Sequence, residues 1–158
     1  MAQIAVLTGD IVGSSDLKYG ELQKSIDLIP TLWQDSYVLV KLDRQAIDVS
    51  LEKQTFTASG ASIIGFSRVA GDGWQIALSR ASIALRVALA IRCLFKLFSQ
   101  ETRIAIAVGE HTGDIPSDLN VAISPPFIAS GRLLKNMPKS TLLAHDSGGT
   151  LAAAVTLA

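Results

Sequence analysis

Cysteine is nearly absent from the 158-residue chain. Cys93 stands alone, so no internal disulfide can form, and the chain suits a reducing compartment. In its apolar setting Cys93 reads as a small buried hydrophobe. There are two histidines, His111 and His145, and no Cys/His spacing that suits zinc. Both are expected at the surface. Charge of one sign is not in excess either. Lys+Arg and Asp+Glu number 14 each, the pI is about 6.7, and no basic run interrupts the balance. Such a chain has no bulk attraction for nucleic acid or anionic lipid, and neither partner is expected. No basic leader precedes the apolar start, which reaches Asp10 within a few residues. The longest apolar stretch, Ala81 to Phe98, is broken by Arg86, Arg92 and Lys96, which makes it a poor membrane span. These absences point to a cytoplasmic protein. The Gly-x-Ser-x-Gly elbow, the Walker lysine motif and the G-x-G-x-x-G fingerprint are all missing.

What is present is apolar. Hydrophobic residues make up 49% of the chain and the mean hydropathy is +0.38, which calls for a sheet covered on both faces or a surface hidden by a partner. The length suits one compact domain. Ile4–Leu7 reads as a central strand followed by a Gly/Ser turn. Leu22, Ile26, Ile29 and Trp33 recur at helical spacing, with Ser14 or Ser15 as the cap and Pro30 near the end. Residues 37–56 are ambiguous, with a second helical piece as one reading. Ser62–Val69 and Trp74–Leu78 form a hairpin around Ala70-Gly71-Asp72-Gly73. A helix over 80–99, capped by Ser79, carries Ile83, Val87, Ile91, Leu94, Phe95 and Phe98 on one arc. Leu85 and Leu89 lie on its polar side, either as ordinary exposed leucines or as a dimer contact. Arg103–Val108 reads as a strand, Phe127–Lys135 as a helix and Thr141–Ala144 as a short strand. An Ala-rich helix starting at Ser147 is expected to lead into a longer protein, so 1–146 is the domain and 147–158 the start of a further helix. The order β-α-β-β-α-β-α-β indicates an α/β fold of ferredoxin-like type: a mostly antiparallel sheet with helices packed on it.

Two carboxylates stand out. Asp10 ends the first strand, just before a turn into a helix, and Asp72 sits at the hairpin tip. In this fold the first strand lies beside that hairpin, so the two can meet at one end of the sheet. Oxygen ligands of this kind suit Mg²⁺ or Mn²⁺, with substrate phosphates completing the shell. The amides of Val12 to Ser15 would face those phosphates. The alternative for each Asp is an ordinary turn residue that bonds its own backbone. Trp33 and Trp74 read as packing residues, with Trp74 as a possible border of the pocket.

Four stretches resemble class III nucleotidyl cyclases in that family's order. Thr8-Gly9-Asp10-Ile11-Val12-Gly13-Ser14-Ser15 is similar to the first-strand motif, and Arg68-Val69-Ala70-Gly71-Asp72-Gly73 to the hairpin motif. Arg103-Ile104-Ala105-Ile106-Ala107-Val108-Gly109-Glu110 is similar to the strand ending in Gly-Glu, and Phe127-Ile128-Ala129-Ser130-Gly131-Arg132-Leu133 to the Val-Asn-x-Ala-x-Arg-Leu helix. Gly71-Asp72-Gly73-Trp74-Gln75 also resembles the SatD-like proteins. The resemblance implies a palm in which Asp10, Asp72 and the Ile11 carbonyl hold Mg²⁺ or Mn²⁺. Gly13, Ser14 and Ser15 would lie against the triphosphate of ATP or GTP. Arg68 would stand at the base-reading lysine's place, and Arg132 would be the catalytic arginine that stabilises the transition-state phosphate. It also implies a homodimer and, for an active enzyme, release of pyrophosphate as a cyclic nucleotide forms. The chain departs from the pattern elsewhere. Ile128 replaces an Asn that orients the ribose, and Val121, Ala122 and Ile123 fill the base-reading region. The late hairpin that brings a phosphate-binding lysine is not evident. These departures support an alternative, a catalytically degenerate regulatory or dimerisation module of a longer signalling protein.

Overall fold

The computed structural model describes residues 2–16, 19–33 and 63–146. The ambiguous stretch 37–56, the Trp33 side chain and the helix expected over 147–158 lie outside what it describes. The described residues form β1 (Ala2–Ile11), α1 (Tyr19–Leu28), β2 (Ile63–Val69), β3 (Gly73–Leu78), α2 (Ala84–Leu97), β4 (Thr102–His111), α3 (Pro125–Asn136) and β5 (Leu143–Asp146). The strands make one sheet in the order β2-β3-β1-β4-β5. β1 is antiparallel to both β3 and β4, β2 is antiparallel to β3, and β5 runs parallel to β4. β1 and β2 flank β3, while β3 and β4 flank β1, which is the interleaving of two split βαβ units. The expected α/β fold with a mostly antiparallel sheet is the one observed.

The apolar excess is accounted for by cover on both faces. Ala5, Leu7 and Ile11 of β1 join Trp74, Ile76, Leu78, Ile104 and Ile106 in a core against α1 and α2. The alternate residues Ile4 and Val6 join Ala77, Leu119 and Phe127 on the other face, under α3 and the short 3-10 turn at Leu119–Val121. A strand with both faces covered needs no alternation, and all six residues of β3 are buried. On α1, Leu22 and Ile26 pack on the first face, as their spacing requires, and Ile29 joins them just past the helix end. The helix stops at Leu28, and Pro30 opens a 3-10 turn.

The boundaries differ from expectation in places. Ser14–Asp16 form their own 3-10 turn, so neither serine caps α1, which begins at Tyr19. A 3-10 turn at Ala81–Ile83 precedes α2, whose N-cap is Ile83 with no side-chain cap bond, so Ser79 is not the cap. β4 runs on through Gly109 to His111. Helix α3 starts two residues before Phe127, because prolines in the first turn lack only N–H groups that have no helical partner. Cys93 is exposed rather than buried. It follows Leu85 and Leu89, at 41% and 46% exposure, and precedes Leu97, at 55%, in an outward stripe along α2. Phe98, placed on the buried arc from sequence, is also exposed. Among the described residues no helix is long and apolar enough to cross a membrane.

One close approach fixes the end of β1. Trp74 is fully buried, and its indole lies across Gly9; a Cβ on Gly9 would fall 2.3 Å from Trp74 Cζ2 and 2.8 Å from the Arg103 carbonyl oxygen. One of these neighbours is a locked ring and the other is backbone, so neither can give way cheaply. Gly9→Ala is therefore expected to destabilise the protein by about 1–3 kcal/mol, measured by urea unfolding.

Candidate functional site

Asp10 is the penultimate residue of β1, and the β1–β4 register sets it opposite Arg103. Both lie on the α3 side of the sheet, because their neighbours Ile11 and Ile104 pack into the α1–α2 core. Arg103 closes on Asp10 as a two-pronged fork. Its Nε donates to Asp10 Oδ1 at 2.9 Å, and its Nη2 donates to Oδ2. A third donor, Nη1, reaches the carbonyl of Met137 at 3.4 Å, just past the end of α3. The two side chains are 18% and 24% exposed, so solvent screens the pair only partly. The hydrogen bonds it donates to Asp10 hold the Arg103 guanidinium above its ordinary pKa. Burial opposes the shift, and the charges of Asp10 and Asp72 add to it. The stabilisation from this shift is complete below the ordinary guanidinium value and is lost only as pH climbs through the raised one.

Beyond Asp10 the chain turns sharply. Val12 N–H donates to the Glu101 carbonyl at 2.8 Å, Gly13 takes φ +67°, and Asp16 N–H returns to the Gly13 carbonyl at 3.0 Å. The β1–β3 register stops at Gly9↔Trp74, which leaves the Ile11 amide without a strand partner on that side. Asp72 supplies one: its Oδ2 accepts from Ile11 N–H at 3.2 Å. Gly71, with φ +79°, lets the hairpin tip fold back far enough to do so. The hairpin tip thus reaches the end of β1, but through the Asp72 carboxylate on the Ile11 backbone; the Asp10 carboxylate is engaged by Arg103 instead.

A buried polar row lies beneath this corner. Ser67, Gln75 and Thr8 are register partners across β2, β3 and β1. Gln75 Nε2 donates to Thr8 Oγ1 at 2.9 Å, and the hydroxyls of Thr8 and Ser130 share a hydrogen bond of 2.7 Å. Ser130 Oγ also donates to the Phe127 carbonyl at 3.1 Å, and Ser67 Oγ accepts from Leu119 N–H at 2.7 Å. All four side chains are buried. The row seats α3 and the Leu119 turn on the sheet. Asp118 helps to form that turn, and hydrogen bonds from Asn120 hold its carboxyl below the usual carboxylate range.

The other candidate residues stand apart from Asp10. Arg68 bonds Gln23 and Asp27 of α1, through the Gln23 side chain and carbonyl and the Asp27 carboxylate, and so it serves the opposite face of the sheet. Gly13 and Ser15 are exposed at the turn, and Ser14 is half-buried. Arg132 is exposed on α3. It lies two residues, or about 200° of helix, from the buried Ser130, and so projects away from the sheet. Ile128 is exposed in the same way, and Val121 and Ile123 are 65% and 85% exposed. Trp74 is a packing residue. The histidines are not loose surface groups: His111 ends β4, with Nδ1 2.8 Å from Ser124 Oγ and its ring edge-on to Phe127, and His145 lies half-buried in β5.

Reading motifs alone overlooked Arg103 and the polar row. The available signal was a polar residue at alternating positions of otherwise apolar strands, as with Thr8 in β1 and Gln75 in β3. Among the described residues no group of three or more His, Cys, Asp or Glu is placed to hold a metal ion. Two carboxylates and a backbone carbonyl are the most this corner offers. A scan against family models finds no match to the chain, and a search of curated proteins finds none.

Three outcomes follow for the protein without ligands. Removing the fork in Arg103→Ala strands the partly buried Asp10 carboxylate and should cost about 1–3 kcal/mol in urea unfolding. A double-mutant cycle with Asp10→Ala should return a favourable coupling. Thr8→Val breaks two links of the polar row at once and should cost about 1–3 kcal/mol, by the same measurement.

Proposed function

We propose that this palm binds a purine nucleoside triphosphate, ATP or GTP, together with Mg²⁺ or Mn²⁺ at the corner of Asp10 and Asp72. The observation that carries the reading is the hydrogen bond from Ile11 N–H to Asp72, which draws the hairpin carboxylate to the residue after Asp10. The donor set suits a hard divalent ion, since Mg²⁺ takes one or two carboxylates and leaves its remaining positions to water and phosphate oxygens. Asp10, Asp72 and the Ile11 carbonyl would hold the ion. When bound, the ion supplies charge neutralisation of the phosphates and activation of a ribose hydroxyl.

The chain's own residues prepare the rest. The Gly13 turn exposes backbone at the end of β1, and Ser14 and Ser15 border it, where a triphosphate would lie. Arg68 is committed to α1, so reading the base through Arg68 would require release from Gln23 and Asp27. Arg132 faces outward on α3 and would meet a nucleotide only across a homodimer interface. In an active cyclase the 3′-hydroxyl gives up its proton to solvent and attacks the α-phosphate, a new P–O bond forms as the bridging bond to the β-phosphate breaks, and pyrophosphate leaves.

A second reading, a catalytically degenerate regulatory or dimerisation module, is favoured by a different observation. Both oxygens of Asp10 are engaged by Arg103. Ile128, which cannot hydrogen-bond a ribose, agrees with it.

Thermal unfolding with Mn²⁺ plus ATP or GTP separates the two. A ligand at about 100 times its Kd adds roughly 2.7 kcal/mol of stability. The expected result is an upward shift in Tm that requires both metal and nucleotide and disappears in Asp10→Ala. No shift with either nucleotide in the folded wild-type protein leaves the module reading.

A further inference from the structure

We infer that Arg103 is the resident counter-cation of Asp10 and competes with a divalent metal ion for its carboxylate, so that the corner fills by exchange of one cation for another. The inference rests on the nucleotide–metal reading above and adds to it what governs occupancy of the site.

The geometry carries it. Arg103 uses Nε and Nη2 on the two oxygens of Asp10, a parallel fork that takes the lone pairs facing β4. Each carboxylate oxygen has a second lone pair, so an ion could approach from outside the fork. It would then share one carboxylate with a guanidinium, and the two positive charges would repel each other at close range. With the pair only 18% and 24% exposed, water and salt relieve that repulsion incompletely. A guanidinium does not give up its proton in any ordinary buffer, so the conflict is not removed by titration. The fork has to move.

It is held lightly on its far side. The remaining contact, from Nη1 to the Met137 carbonyl, is long at 3.4 Å. A side chain swung off Asp10 about its own stem would remain at the mouth of the corner, where the phosphates of a bound nucleotide would lie. Phosphate oxygens accept the same fork. Metal alone therefore has to work against Arg103, whereas metal with a triphosphate gives the displaced guanidinium a new anion.

The test is Mn²⁺ affinity without nucleotide, read from the electron paramagnetic resonance signal of the free ion. It is made on the wild type, Arg103→Gln, Arg103→Lys and Asp10→Ala, each first shown to be folded by circular dichroism at the assay temperature. Arg103→Gln keeps a polar side chain that reaches only as far as Nε and carries no charge, and Arg103→Lys keeps the charge without the fork. Competition predicts that Arg103→Gln binds Mn²⁺ tenfold or more tightly than the wild type, that Arg103→Lys falls between them, and that Asp10→Ala does not bind. Binding that is lost in Asp10→Ala but unchanged or weaker in a folded Arg103→Gln overturns the inference. Arg103 would then orient Asp10 for the ion, and the metal reading would stand. No binding by the wild type or by Arg103→Gln also overturns the inference, and the nucleotide–metal reading is then decided by the thermal shift with Mn²⁺ plus ATP or GTP.

Discussion

Everything in this fold is located by β1. It is the middle strand of five, hydrogen-bonded along both edges and covered on both faces, so it can neither slide nor turn over without exposing a core. A shift of one residue would exchange Leu7 and Ile11 with Thr8 and Asp10 across the sheet. The same register that buries the leucine and isoleucine under α1 and α2 delivers the aspartate to the α3 side, opposite Arg103. The chemistry of the corner is thus a by-product of how the core is filled. Gly9, under the Trp74 indole, lies on the core face between Leu7 and Ile11, next to the point where Asp10 turns to the other face.

The two carboxylates of the corner are held by different means. Asp72 accepts a backbone amide, a neutral donor that leaves its charge in place. Asp10 accepts a charged fork that cancels its charge. The corner therefore carries less negative charge than its two aspartates suggest, and what it can attract depends on the position of one arginine. This is why the sequence motif and the geometry lean toward different readings. The motif counts carboxylates, whereas the geometry also counts their partners.

The element order was legible from periodicity and turn chemistry, since strands covered on both faces leave unbroken apolar runs and the hairpin glycines mark their own turn. The convergence of the hairpin tip on the end of β1 was legible too, because it follows from the fold once the order is known. Boundaries were less so. The 3-10 turn at Ser14–Asp16 absorbs residues that look like helix caps, since Ser and Asp favour both settings, and the one at Ala81–Ile83 separates Ser79 from α2. Cys93 was misread because an apolar segment does not reveal that its helix carries a second, outward apolar stripe. Arg103 was passed over because a pair between residues 93 positions apart is set by strand register, which no local pattern encodes. The direction of Arg68 depends in the same way on where α1 comes to rest. Ser130 looked like one more small helix residue, and its role appears only when Thr8 is seen beneath it.

That buried hydroxyl has a mechanical meaning. Ser130 is keyed into Thr8, and Thr8 into Gln75, so α3 cannot roll about its own axis without leaving several buried polar groups with no partner. Hydrophobic contacts alone would tolerate such a roll, but hydrogen bonds in a dry interface do not. The helix behaves as a fixed spoke, and the residues on its rim, Arg132 and Ile128 among them, keep a constant bearing toward whatever approaches from outside. Any partner that reads this rim therefore meets a rigid template, and the cost of mutual adjustment falls on the visitor.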